Sequence, residues 1–146
     1  MDGKGRSVLV VDDEMHLRIF ISAVFETSGF TVRSARDGAH GLALAQQARP
    51  DLITLDLMMP GEGGIRMYRA LKADPQLRDV PVMVVSAVAD ATFRHTLSTV
   101  SAGQPEALPP PQAYVEKPPT AQTLLAAAAR ALDPVQPPAP PGRGTP

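Results

Sequence analysis

Val8-Leu9-Val10-Val11, entered through Ser7, is a compact apolar run that stops abruptly at Asp12-Asp13-Glu14. So short a run with no polar alternation reads as a strand buried on both faces, which means a parallel sheet covered by helices. The rest of the chain repeats the theme. Leu17, Ile21, Val24 and Phe25 recur at helical spacing, and Gly29 stands where that helix should stop. Thr31–Ala35 reads as a second strand, and Asp37 as the N-cap of a helix through about Gln47, with Leu42 and Ala45 facing inward. Leu52–Leu55 is a third strand with Asp56 at its end. Met59 to Gly64 is a loop by its proline and glycines, and a helix follows from about Ile65 to Ala73. Pro81–Ser86 gives a fourth strand, Ala91–Val100 a fourth helix, and Ser101–Gln112 a proline-rich loop. Ala113–Glu116 is the fifth strand, and Thr120–Leu132 an alanine-rich last helix.

Five such βα units predict an α/β fold, a doubly wound parallel sheet in a single domain over residues 7–132. Residues 1–6 form a polar N-terminal tail and 133–146 a proline-rich tail, expected to be extended. At 146 residues there is room for one proper core and hardly two, and 44% apolar content is within the globular range. A net charge of −1 provides no overall basic field for nucleic acid or anionic membrane. Cysteine is absent, which excludes disulfides and thiolate chemistry. No run is long enough for a membrane span, and the first apolar run is too short for a signal peptide, so a cytoplasmic protein is expected. His16, His40 and His95 have no ligand spacing.

In open parallel sheets, sites form outside the carboxyl ends of the strands. There the first strand delivers Asp12 and Asp13, the third Asp56, the fourth Ser86 and the fifth Lys117. Singly, each has a plain structural use: Asp12 and Asp13 as helix caps, Asp56 in a turn, Ser86 as a strand-end hydroxyl, Lys117 in solvent. Together on one rim they define a site. Three converging carboxylates repel one another, and a divalent cation resolves the conflict; hard oxygen ligands suit Mg²⁺. The carboxylates' charge of −3 is then balanced by the +2 cation and Lys117. Metal and lysine are poised to stabilise the extra charge of an acyl phosphate on Asp56.

The array Val10-Val11-Asp12-Asp13-Glu14, Leu55-Asp56-Leu57-Met58-Met59-Pro60-Gly61 with Gly64, Ser86-Ala87 and Glu116-Lys117-Pro118 resembles the receiver domain of two-component response regulators, over roughly Ser7 to Leu132. The resemblance implies a flavodoxin-like fold of strand order 2-1-3-4-5. It implies that Asp56 takes a phosphoryl group from a sensor histidine kinase or phosphotransfer protein. Asp13, Asp56 and the Met58 backbone carbonyl would bind Mg²⁺, with Asp12 helping through water. Lys117 would pair with the phosphoryl oxygens, Ser86 would hydrogen-bond to the phosphate, and Tyr114 would occupy the rotating aromatic position. Pro118 would follow a cis peptide bond. The output would be phosphorylation-dependent contact with an unnamed downstream protein, without direct nucleic-acid or membrane binding. Self-association into a homodimer is left open.

The proline-rich loop is longer than the family's usual connection, which sets the face around the fifth strand apart from relatives. Met58 and Val88, flanking the site, are apolar and unable to orient a water, which predicts slow loss of phosphate. Two alternatives stand beside this reading. A Mg²⁺-dependent aspartyl-phosphate phosphatase of haloacid-dehalogenase type wants an acid–base Asp two residues after the nucleophile, and that place holds Met58. The chain could also be the receiver portion of a longer regulator or hybrid kinase. Self-catalysed phosphorylation and dephosphorylation, not enzymatic turnover, is the expectation.

Overall fold

The computed structural model describes residues 3–59, 61, 63–87 and 108–133. Five strands, β1 (Ser7–Val11), β2 (Thr31–Ala35), β3 (Leu52–Leu55), β4 (Val82–Ser86) and β5 (Ala113–Glu116), form one sheet of order β2-β1-β3-β4-β5. Every pairing is parallel. This is the expected order, and the chain reverses its direction of travel across the sheet at β1 and β3.

Four helices are described: α1 (Met15–Thr27), α2 (Gly38–Gln47), α3 (Gly63–Ala73) and α4 (Ala121–Leu132). The helix expected over Ala91–Val100 lies outside the described residues, as do the loop before residue 108 and the tail from 134. Alternation along the strands builds two cores. Leu9, Val11, Ile53, Leu55, Val82 and Val84 face α2 and α3, meeting Ala45, Met67, Tyr68 and Leu71. Val8, Val10, Leu52, Met83 and Val85 face α1 and α4, meeting Ile21, Phe25, Leu124 and Ala128. Each large side chain fully buried contributes about 1.5–3 kcal/mol, so this double layer holds the strand ends in place.

Helix ends follow local chemistry. Gly29, at φ 96°, closes α1: its amide donates to the Glu26 carbonyl and that of Phe30 to the Phe25 carbonyl. Asp37 caps α2 by accepting from the His40 amide at 2.7 Å. Thr120 and Thr123 form a reciprocal capping box on α4.

Three boundaries differ from expectation, one of them only in that Thr120 caps the last helix, which begins at Ala121. Helix α3 begins at Gly63, inside the segment read as loop. The reason is close approach: a Cβ on Gly64 would lie 2.3 Å from the Asp56 carbonyl oxygen, so only glycine lets the first turn sit there. Strand β4 begins at Val82, because Pro81 has no amide to donate. Residues 3–6 of the expected tail are docked: Gly3 donates to the Ser28 carbonyl, and Arg6 pairs with Asp133 at 3.6 Å.

The end of the proline-rich segment is also anchored. Leu108 packs against the α2–α3 core, Tyr68 donates its hydroxyl hydrogen to the Pro109 carbonyl, and Gln112 bonds Val82 through both its amide and its side chain. No helix among the described residues is long and apolar enough to cross a membrane.

Candidate functional site

The parallel ladder carries β1 and β3 side by side to the same rim, where the Asp56 amide donates to the Val11 carbonyl at 3.0 Å. Asp12 and Asp56 therefore emerge as neighbours, 1% and 3% exposed. Asp13, exposed, completes a group whose carboxylate oxygens lie within 4.8 Å of one another. Across the sheet, β4 and β5 end in register, Ser86 opposite Glu116, and the Lys117 amide donates to the Ser86 carbonyl at 2.9 Å. The Lys117–Pro118 peptide is cis. From there the Lys117 ammonium reaches Oδ2 of both Asp12 and Asp56, each at 3.1 Å.

The remaining carboxylate oxygens are fixed by backbone. Asp56 Oδ1 accepts from the Met58 amide and Asp12 Oδ1 from the Glu14 amide, each at 2.9 Å. These are short turns in which the side chain replaces a backbone acceptor. Such bonds hold each carboxylate in one rotamer and point its Oδ2 at the shared centre.

Burial dominates the electrostatics of Asp12. Desolvation holds its carboxyl above the ordinary range, reinforced by the Asp56 charge and opposed by the Glu14 amide and Lys117. For Lys117, burial alone would lower the pKa; the Asp12 and Asp56 carboxylates outweigh it and raise the pKa above the usual value. One ammonium thus pairs with two buried carboxylates, and the Asp13 carboxylate stands beside them without it. Asp12 Oδ2 is buried without a directed hydrogen bond, although a buried carboxylate oxygen ordinarily has one. A site two positive charges short, with an under-satisfied hard oxygen aimed into it, fits a divalent cation of the Mg²⁺ kind.

The expected site residues divide by position. Asp12, Asp13, Asp56 and Lys117 come together. Ser86 is fully buried at the end of β4, tied to Lys117 through the backbone. Tyr114, three residues upstream on β5, is half-buried against the α2–α3 core. Met58 is 62% exposed beside Asp56, whereas its neighbours Leu57 and Met59 are buried. Val88 lies outside the described residues. One participant has no sequence signal: Arg18 of α1, which donates from Nη1 to the Asp12 carbonyl at 2.9 Å.

This fold and rim define an α/β module with an acidic, lysine-bridged site at its strand ends, and comparison with known proteins identifies the family. The profile of the response regulator receiver domain matches residues 8–129, and the chain belongs to that family. The polar-differentiation response regulator DivK of Brucella anthropi is 38% identical over 85 residues, covering 58% of this chain and 68% of that protein. The DNA-binding dual master transcriptional regulator RpaA of Synechocystis is 38% identical over 81 residues, covering 56% of this chain and 34% of that protein. The chain spans about a third of the length of the DNA-binding relatives it matches. Among solved structures, the chemotaxis response regulator CheY4 of Vibrio cholerae superposes with a TM-score of 0.74 at 28% identity, covering 87% of this chain and 98% of that one. The chain is a response regulator receiver domain, and nothing in these likenesses favours the phosphatase alternative.

Proposed function

We propose that Asp56 accepts a phosphoryl group from a phosphohistidine on a sensor kinase or phosphotransfer protein. The observation that carries this reading is the Lys117 ammonium bridging the buried Asp12 and Asp56 carboxylates, with Asp13 completing the acidic group. In the transfer, an Asp56 carboxylate oxygen forms a bond to phosphorus as the phosphorus–nitrogen bond to the donor imidazole breaks. The electron pair of that bond leaves with the imidazole.

Asp13, Asp56 and the Met58 carbonyl would hold the cation, with Asp12 assisting through water. Bound Mg²⁺ supplies positive charge to the transferring oxygens. Lys117 supplies a second positive charge from the chain itself, shared between Asp12 and Asp56 at rest and available to the phosphoryl oxygens afterwards. The Ser86 hydroxyl donates to the phosphate, and Tyr114 follows its loop inward. Shifting a resting population from 1:99 to 99:1 takes about 5.5 kcal/mol. A few charge-assisted hydrogen bonds of about 1.5–3 kcal/mol each are of that size.

The reading extends to the whole chain. Residues 7–132 act as the receiver unit between flanking segments 1–6 and 133–146. The module works in the cytoplasm as a switch without turnover of its own, and its output is a protein contact, not DNA or membrane binding. The test is incubation with Mg²⁺ and a small phosphodonor. An acid-stable, base-labile phosphoryl adduct should form and vanish in Asp56→Asn; an adduct undiminished in that variant refutes the assignment.

A further inference from the structure

Asp12 is fixed through its amide, its carbonyl and its Oδ1. Its amide donates to the Ala35 carbonyl at 3.1 Å, and its Oδ1 accepts from the Glu14 amide at 2.9 Å. Its carbonyl accepts from Arg18 Nη1 at 2.9 Å. Its Oδ2, buried, meets only the Lys117 ammonium at 3.1 Å and is the atom that faces the site. Of these three hydrogen bonds, the Arg18 bond alone is donated by a side chain, and it is therefore open to substitution without changing Asp12 or the Lys117 ion pair.

The position of Arg18 is electrostatically unusual. It is the fourth residue of α1, close to the positive end of the helix dipole, where acidic residues are favoured and cations disfavoured. The first turn of α1 contains no acidic residue, and Glu14 makes no side-chain cap. An arginine there needs an acceptor, and it has one in the carbonyl of the turn that presents Asp12 and Asp13.

Resting on the Mg²⁺ reading of the site, we propose that Arg18 is the positioning residue for the cation. Its guanidinium clamps the Asp12 peptide so that Asp12 Oδ2 and the Asp13 carboxylate face the metal together. Releasing that clamp lets the turn between β1 and α1 rotate, and the cost falls on metal affinity, not on phosphoryl transfer itself. Outer partners that orient metal-binding groups typically contribute about 10–100-fold in affinity.

The test compares wild type with Arg18→Met, which keeps a long apolar stem and helix-forming character but no donor, and with Arg18→Lys, which restores a charged donor. Mg²⁺ binding is measured calorimetrically, and phosphorylation by a small donor is followed across Mg²⁺ concentration, below each protein's Tm in EDTA. Arg18→Met should raise the Mg²⁺ Kd and the half-saturating Mg²⁺ about tenfold, keep the rate at saturating Mg²⁺, and be rescued in part by Arg18→Lys. Should Arg18→Met not fold, Arg18→Gln takes its place with the same expected loss, its stem too short to reach the carbonyl. Unchanged Mg²⁺ affinity in the donor-free variant overturns the proposal, as does a loss that Arg18→Lys does not relieve at all. Wild type that binds no Mg²⁺ overturns the underlying metal reading and the proposal with it.

Discussion

The carboxylate rim stands at the C-terminal ends of β1 and β3, the anchor of the proline-rich segment at the starts of β4 and β5, and the two handle polar groups in opposite ways. At the anchor, partners satisfy each other: the Tyr68 hydroxyl meets the Pro109 carbonyl, and Gln112 meets Val82 twice. At the rim, three carboxylates converge while one lysine pairs with only two of them, and Asp12 Oδ2 has that ion pair in place of a well-directed hydrogen bond. A satisfied polar cluster stabilises a fold, whereas one left short of positive charge in a buried centre is built for a ligand. The difference shows where this molecule gives up stability for chemistry.

Substitutions can break that contrast or sharpen it. The largest effect should come from Gly64→Ala, because the added methyl would press on the Asp56 carbonyl and the Leu57 Cα. A loss of about 3 kcal/mol by denaturant titration is expected, with weaker Mg²⁺ binding, since the backbone that must move carries Asp56. An unchanged midpoint would mean that α3 does not support the rim.

Next is the cation itself. Wild type at 100 times its Mg²⁺ Kd should gain about 2.7 kcal/mol by linkage. Asp13→Asn should lose most of that gain while becoming more stable in EDTA, because one of three repelling carboxylates is gone. A variant less stable than wild type in EDTA would contradict the repulsion argument.

Tyr68→Phe tests the other region. It removes a hydroxyl whose acceptor, on exposed Pro109, can turn to water, so about 1 kcal/mol should be lost. Mg²⁺ affinity should stay the same, and a shift in it would show that the anchor and the rim are coupled. The smallest effect concerns the phosphorylated state. Met58→Asn places an amide able to orient water beside Asp56 and should speed dephosphorylation severalfold, a barrier change of about 1 kcal/mol. Rapid loss of phosphate from wild type, unaltered by the substitution, would remove Met58 from the account.

How much was legible in advance follows the same division. The strands could be read because apolar runs such as Val8-Leu9-Val10-Val11 and Leu52-Ile53-Thr54-Leu55 are local signals, and their polar successors mark the rim. The start of α3 was hidden: Gly63 and Gly64 look like loop residues until the Asp56 backbone lies against Gly64. The Tyr68–Pro109 bond joins residues 41 positions apart, and no periodicity reports such a contact. Arg18 was missed for a related reason. A long cation near a helix start usually points to solvent, and only the placement of the Asp12 carbonyl gives it a partner.

The most direct measurement is to locate the adduct chemically. Protein treated with Mg²⁺ and a small phosphodonor is reduced with borohydride, which converts an aspartyl phosphate to homoserine, and is then mapped by peptide mass spectrometry. Homoserine should appear at position 56 only when Mg²⁺ is present, and not in Asp56→Asn. Its appearance at another carboxylate, or no conversion under any donor, would contradict the assignment of Asp56.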